Sequence, residues 1–276
     1  MSKVAIFGAG IIGQAVYALL KQDNDVVCFF DNKPSASEFD GVPVIRPARE
    51  VDFDKIYISI TDLSVFSSLK SQLLEMKIPA AKIRSYKEVL LYGARVEFLR
   101  EFALPYKNAP FCAAEVGVFK GEFAREINEA FSGGRLYLFD TFEGFCESDI
   151  SREDTDPNTI AVFCEEFRET SVETVLSKMP EPDHVIIKRG FFPETFDLHD
   201  ERFIFVSLDA DLYQPTKAGL EVFAPLMVEK GVILVHDYYN EMFPGVKKAV
   251  DEFLRDTNAV FLPIGDAMSL AIIKTR

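Results

Sequence analysis

The chain has 276 residues, which at about 150 residues per domain fits one large domain or two ordinary ones. Hydrophobic residues are 48% and charged residues 27%, a mixture that builds a substantial core and excludes bulk disorder. The 44 acids outnumber the 30 bases, and a net charge of −14 argues against a nucleic-acid backbone or an anionic membrane surface as the principal partner.

Val4 to Phe7 is a short apolar run ending in glycines, and Ile11 to Lys21 has helical periodicity. Val26 to Phe30, closed by Asp31, and Ile56 to Ile60 are further apolar runs; Leu63 to Lys77 is a second helix. Runs that are apolar throughout and separated by helices predict parallel strands covered on both faces. Asn32 to Pro47, with three prolines, predicts a loop around a short strand at Val42 to Ile45. These elements make residues 1–88 a small Rossmann-like domain. Tyr86 to Leu104 predicts a long bridging helix that ends before Pro105.

Residues 89–276 are expected to form a second domain. Its strands are predicted at Phe111–Val116, Leu136–Phe139, Val185–Lys188, Phe203–Leu208 and Val232–Val235, with a closing antiparallel pair at Val260–Pro263 and Leu270–Lys274. Helices are predicted at Gly121–Phe131, Ser171–Met179, Pro215–Glu229 and Val246–Arg255. Glu147 to Asn158 is acidic and turn-rich, and reads as an exposed loop in the position of a lid. Strands alternating with helices imply a doubly wound α/β sheet with ligands at the C-terminal strand ends.

Two glycine turns stand between a strand and a helix. Gly8, Gly10 and Gly13 form GxGxxG, with Asp31 18 positions after Gly13. Such glycines let phosphates approach backbone N–H groups, and the acid suits a ribose. The same pattern also serves as a packing turn, and both readings stand. Glu115, Gly117 and Gly121 form a different turn, E-x-G-x-x-x-G. There a carboxylate meets an ammonium or hydroxyl, and glycines allow close backbone approach. Asp140 closes the next strand, where it can take the hydroxyls of a ribose. An amino acid joined to a nucleoside, S-adenosylmethionine, fits this pair of strand-end acids.

Phe203 to Leu208 runs into Asp209-Ala210-Asp211, and Val232 to Val235 into His236-Asp237. Polar residues at the ends of buried strands mark the ligand-facing edge of a sheet, because an unpaired charge is costly to bury. These strands should be neighbours, so Asp209, His236 and Asp237 form a candidate divalent-metal shell or a hydrogen-bonded network without metal. Phe191 and Phe192 are candidates for lining an adenine or substrate pocket. His184 and His199 read as structural, and Lys247 and Lys248 as a solvated helix face.

Glu115 to Gly121, FDTFEGF at 139–145, KRGFFPETF at 188–196, LDADLYQPTKAGLEVFAPLMVEKGVILVHDYY at 208–239 and PGVKKAVDEFL at 244–254 occur in order. Together they resemble the macrocin O-methyltransferase (TylF-like) family over roughly residues 105–276. The resemblance implies a class I methyltransferase fold, Rossmann-like and doubly wound, with S-adenosylmethionine as cofactor. Thr141 and Gly144 of FDTFEGF join Glu115, Gly117, Gly121 and Asp140 as expected cofactor-binding residues. The family methylates sugar hydroxyls on natural products and uses Mg²⁺ held by aspartates at two strand ends. Asp209 matches the first of these aspartates, and His236-Asp237 stands where the family usually has Asp-Asp. Residues 1–88 replace the family's own N-terminal lid. They resemble the nucleotide-sugar-type Rossmann modules of polysaccharide-modifying enzymes, on the pattern GVPVIRP followed by DKIYISI.

The expected function is therefore O-methyl transfer to a sugar-like small-molecule acceptor, with Asp209 and His236 catalytic and Asp209, His236 and Asp237 holding Mg²⁺ or Mn²⁺. The rival is a nucleotide-binding oxidoreductase or binding protein centred on Gly8 to Gly13; no catalytic Tyr/Lys or Cys/His set lies near that turn in sequence. No apolar run reaches the ~18–20 residues that span a bilayer, and no secretory signal is seen at Met1. Cys28, Cys112, Cys146 and Cys164 show no close pair, so reduced thiols are expected. A cytoplasmic homo-oligomer, most simply a dimer, completes the expectation.

Overall fold

A computed structural model describes residues 1–144, 150–154, 168, 170–257 and 259–275. The chain divides into two compact units, Met1–Ala94 and Arg95–Arg276. No helix among the described residues is long and apolar enough to cross a membrane.

The first unit holds strands β1 (Ser2–Phe7), β2 (Asn24–Phe30), β3 (Glu38–Phe39), β4 (Val42–Ile45), β5 (Lys55–Ile58) and β6 (Ile83–Ser85). They pair in the order β3-β4-β2-β1-β5-β6, parallel except between β3 and β4. Helices α1 (Ile11–Leu20) and α2 (Leu63–Glu75) cover the two faces. The unbroken apolar run of β1 follows from this: Val4 and Ile6 pack with Val16 and Leu20, while Ala5 and Phe7 pack with Leu69 and Leu73. Asp62 caps α2 by accepting from the Ser64 and Val65 amides.

Helix α3 (Tyr86–Ala103) contributes Tyr86, Val89 and Leu90 to the first core, and Val96, Leu99 and Ala103 to the second. The second unit continues with β7 (Cys112–Val116), α4 (Glu122–Ala130), β8 (Leu136–Asp140), α5 (Val172–Leu176), β9 (Val185–Arg189) and β10 (Phe203–Leu208). Then follow α6 (Tyr213–Phe223), β11 (Met227–Val235), α7 (Pro244–Asp256), β12 (Val260–Pro263) and β13 (Leu270–Ile273). The strand order is β12-β13-β11-β10-β7-β8-β9, with β13 antiparallel to both its neighbours. The chain leaves β7 toward β8 and β9 on one side and returns to β10 and β11 on the other. That reversal between β7 and β10 is where such sheets open to ligands. One face carries Ala114, Val116, Phe139, Val206 and Leu208 under Leu220, Phe223 and Val246. The other carries Ala113, Leu138 and Phe205 under Leu99, Phe123 and Ile127.

Two local expectations are corrected. The helix expected over Pro215–Glu229 ends at Phe223, and Met227 already belongs to β11. Pro225 has no N–H for a helix to use, and Ala224–Leu226 tightens into a single 3₁₀ turn. Phe192 packs into the core. It is 5% exposed and stacks on Phe223 at 6.1 Å within the core. Phenylalanines gather here, and Phe223 also meets Phe196 at 5.2 Å and Phe203 at 5.1 Å.

Candidate active site

The site forms where β7, β8, β10 and β11 end. After β7 the backbone turns through Gly117 (φ +83°) and Gly121 (φ +80°) into α4. At position 117 only glycine fits: a Cβ would lie 2.0 Å from the Asp209 carbonyl oxygen, which belongs to the turn after β10. The glycine turn and the first strand-end acid are thus in backbone contact.

Asp140, at the end of β8, is more engaged than a free ribose ligand would be. Its Oδ2 accepts from the Val118 and Phe119 amides at 2.7 and 3.0 Å, and its Oδ1 from the Phe142 amide at 2.7 Å. With roughly four lone-pair positions on a carboxylate, one acceptor position remains for a ligand hydroxyl. The same residue therefore fixes the glycine turn and the turn that follows β8. Thr141 Oγ1 donates to the Gly144 carbonyl at 3.0 Å and closes that second turn, where Gly144 has φ +78°.

Glu115 is fully buried beneath the turn, directly across the ladder from Ser207. Its Oε2 and the Ser207 hydroxyl oxygen have no hydrogen-bond partner among the described residues. Burial, reinforced by the charge of Asp209, pushes the Glu115 carboxyl well above the usual range, against the pull of Arg95. A buried orphan acceptor of this kind invites a donor.

Asp209, His236 and Asp237 converge. His236 Nδ1 lies 3.0 Å from Asp209 Oδ1 and 2.6 Å from Asp237 Oδ2. One ligand atom from each of the three falls within 4.8 Å of the others. Burial disfavours a charged His236 ring, yet the charge of Asp209 and hydrogen bonds to both aspartates carry it up to about 10. Burial likewise works to raise Asp209, but His236 and Arg95 hold it below the usual carboxylate range. Asp237 is 3% exposed, sits at φ +59°, and accepts from Asn240 Nδ2 at 2.6 Å. A non-glycine residue pays strain for that conformation, which aims its carboxylate back at the cluster.

Three neighbours escape a sequence-level reading. Arg95 Nη1, from α3, donates to Asp209 Oδ2 at 2.9 Å. Asp211, at φ +58°, has its carboxyl driven well above the usual range by burial and by Asp237 and Asp209. Asn240 orients Asp237. Asp211 stands in plain view in LDADL, whereas Arg95 is 114 positions from its partner and carries no local signal. The expected lid falls largely outside the described residues. Within it, Asp154 Oδ1 accepts from the Tyr213 amide at 2.7 Å, at the start of α6. His199 packs edge-on against Phe196 at 5.7 Å, away from this cluster in sequence and contact.

In the first unit, Gly13 is a packing glycine: a Cβ there would lie 1.8 Å from the Gly8 carbonyl oxygen. Gly10 faces open space. Asp31 steadies the turn, accepting from the Ala9 and Lys33 amides at 3.2 and 2.8 Å.

The model of the macrocin-O-methyltransferase (TylF) family matches residues 112–272, more than half of the chain. The chain belongs to the macrocin-O-methyltransferase (TylF) family. As a TylF-family member it is an enzyme, an O-methyltransferase dependent on S-adenosylmethionine. Residues 1–84 match a second family model, described as C2185-like, N-terminal. Among solved structures, the O-methyltransferase NovP is 24% identical with a TM-score of 0.54, over 66% of this chain and 80% of that one. CalS11, a calicheamicin methyltransferase, is 17% identical with a TM-score of 0.49, over 78% of this chain and 94% of that one. The NovP likeness is one of fold, and it agrees with the class I methyltransferase strand order of the TylF-family unit. No curated protein matches the chain significantly.

Proposed function

We propose that the enzyme methylates a hydroxyl oxygen of a sugar-like small molecule, assisted by a divalent cation, Mg²⁺ or Mn²⁺. The observation that carries this reading is the backbone contact of Gly117 with Asp209, which brings the glycine turn after β7 beside the Asp209–His236–Asp237 cluster. The residues fit the cofactor: the orphan Glu115 oxygen suits an ammonium, Gly117 leaves the turn open to close approach, and Asp140 keeps one acceptor position for a ribose. Gly121, Thr141 and Gly144 shape the two turns around it. They also fit a cation. Two carboxylates and one imidazole offer ligand atoms within 4.8 Å, a mixed oxygen and nitrogen set.

Bound S-adenosylmethionine supplies an electrophilic methyl group, and a bound cation supplies Lewis acidity toward a hydroxyl. What the chain itself does is position and hold charge. Methyl transfer is an in-line displacement, so the rigid turns at Gly117 and Asp140 contribute by alignment. Asp209 and Asp237 hold His236 as an imidazolium, its Nδ1 facing both carboxylates; a cation bound to those carboxylates would relieve that hold, and the neutral ring would then serve as ligand or as base toward the acceptor hydroxyl. The Met1–Ala94 unit, in our reading, recognises a nucleotide-like part of the acceptor; the open face of Gly10 supports this.

Calorimetric titration of the full chain with S-adenosylhomocysteine and with NAD(H) tests the reading. Saturable S-adenosylhomocysteine binding without NAD(H) binding is expected. The reverse pattern would transfer the function to the N-terminal glycine turn.

A further inference from the structure

We propose that Arg95 is a positioning residue that acts as a fixed counter-charge to the candidate cation site. It holds the Asp209 carboxylate in one orientation and keeps affinity for a divalent ion low until an anionic acceptor oxygen arrives. The proposal rests on the cation reading above.

The arginine side chain is 8% exposed. Its guanidinium lies 3.9 Å above the Phe123 ring and donates to Asp209 Oδ2 at 2.9 Å. Stacking and the charge-assisted hydrogen bond together fix its plane. That commits one oxygen of Asp209 and leaves Oδ1 turned toward His236. A guanidinium stays charged at any working pH. Any cation bound at Asp209 Oδ1 therefore sits one carboxylate's width from a permanent positive charge. In a partly buried site, like charges at that separation oppose each other strongly enough to cost tenfold or more in affinity. The same charge attracts an acceptor oxygen that has lost its proton. Arg95 thus sets the sign of the field in which the methyl-accepting oxygen must ionise.

The test uses Mn²⁺ alone as probe, titrated into the full chain without acceptor and read by the electron paramagnetic resonance of free Mn²⁺. The proteins compared are wild type, Arg95→Met, Arg95→Gln, Arg95→Lys and Asp209→Asn. Arg95→Met should bind Mn²⁺ at least tenfold tighter than wild type. Arg95→Lys keeps the charge and should stay within about threefold. Should Arg95→Met fail to fold, Arg95→Gln carries the same expectation, because it retains a donor for Asp209 while losing the charge. A merely structural role would loosen Mn²⁺ binding in all three Arg95 variants, and that result overturns the proposal. So does equal affinity of the neutral variants and wild type while Asp209→Asn still abolishes binding, which leaves the cation reading intact. If wild type and Asp209→Asn are indistinguishable, the cation reading fails and this proposal fails with it.

Discussion

Gly117 and Asp209 touch backbone to backbone, from turns that follow two neighbouring strands. A methyl group added at Gly117 would meet the Asp209 carbonyl oxygen at 2.0 Å, and the residue's φ of +83° penalises any side chain further. Gly117→Ala should therefore cost about 1–3 kcal/mol of stability from strain and displacement. Because both turns shift, affinity for S-adenosylhomocysteine should fall at least about tenfold, on the 1.4 kcal/mol-per-decade scale. Thermal melting and calorimetry check the two effects separately. A variant with wild-type affinity would show that the contact does not shape the cofactor turn.

In the proposed cofactor site Asp140 would act twice, through its remaining acceptor position and through the three amides it holds. Asp140→Ala should weaken S-adenosylhomocysteine binding by about 2–3 kcal/mol. Unchanged affinity in calorimetry would remove Asp140 from the cofactor site.

Asp209→Asn should abolish turnover while the fold survives, because the residue lies at a strand end with a 22% exposed side chain. His236→Asp restores the acid pair usual in the family. It should move a Mn²⁺ preference toward Mg²⁺, since an imidazole favours the softer ion. The comparison is activity across the two metals; full activity in excess EDTA would count against any cation.

The N-terminal turn should not bind NAD(H) saturably at micromolar concentration. The last two glycines of that turn should also behave differently. Gly13→Ala places a Cβ 1.8 Å from the Gly8 carbonyl oxygen and should destabilise the unit by about 2 kcal/mol or more. Gly10→Ala meets nothing within 4 Å and should melt like wild type. Micromolar NAD(H) binding lost on Gly10→Val would reverse this assignment.

One acid-sensitive tie lies at the opposite end of the sheet. Glu201 accepts from Tyr137 Oη at 2.8 Å and from the Cys112 thiol at 3.2 Å, and pairs with Arg135 at 2.8 Å. Burial works to raise its carboxyl, but these partners hold it below the usual carboxylate range. The unfolded chain thus binds the proton more readily, so the stabilisation is present above the ordinary glutamate value of about 4.3 and fades as pH falls through the folded value. Glu201→Gln should lower the Tm by a few degrees near neutral pH, with the gap closing below about pH 4. Melts across that range decide it; a gap that widens in acid would contradict the sign. Burial also pushes the Cys112 thiol up to about 11, so it should resist alkylation in the native state.

Much of this architecture was legible because burial leaves a periodic mark. Phe203–Leu208 is apolar at almost every position since both faces are covered, and its bounds are those expected from the sequence. The meeting of Asp209 with His236 and Asp237 followed from their place at the ends of neighbouring parallel strands. Legibility stopped where contacts are made without period. Phe192 looks the same in a list of residues whether it points inward or outward. The end of α6 at Phe223 was masked by apolar residues that continue into β11. Arg95 gave no sign of itself, because its partner is remote and a lone arginine on a helix usually faces solvent.

The place of β7 between β10 and β8 has a consequence for how the protein assembles. β7 pairs with β8, its near neighbour in the chain, and with β10, which arrives some way later. The groups at the site come from α3, β7, β8, β10 and β11, so no early stretch of the chain contains them all. Non-local closures of this kind carry a loop-entropy cost before any contact rewards them, and they slow folding. A nascent chain released before Val235 lacks His236 and Asp237, whatever sheet it has formed. Ligand-binding competence and completion of the seven-stranded sheet should therefore appear together in refolding, as a single late event.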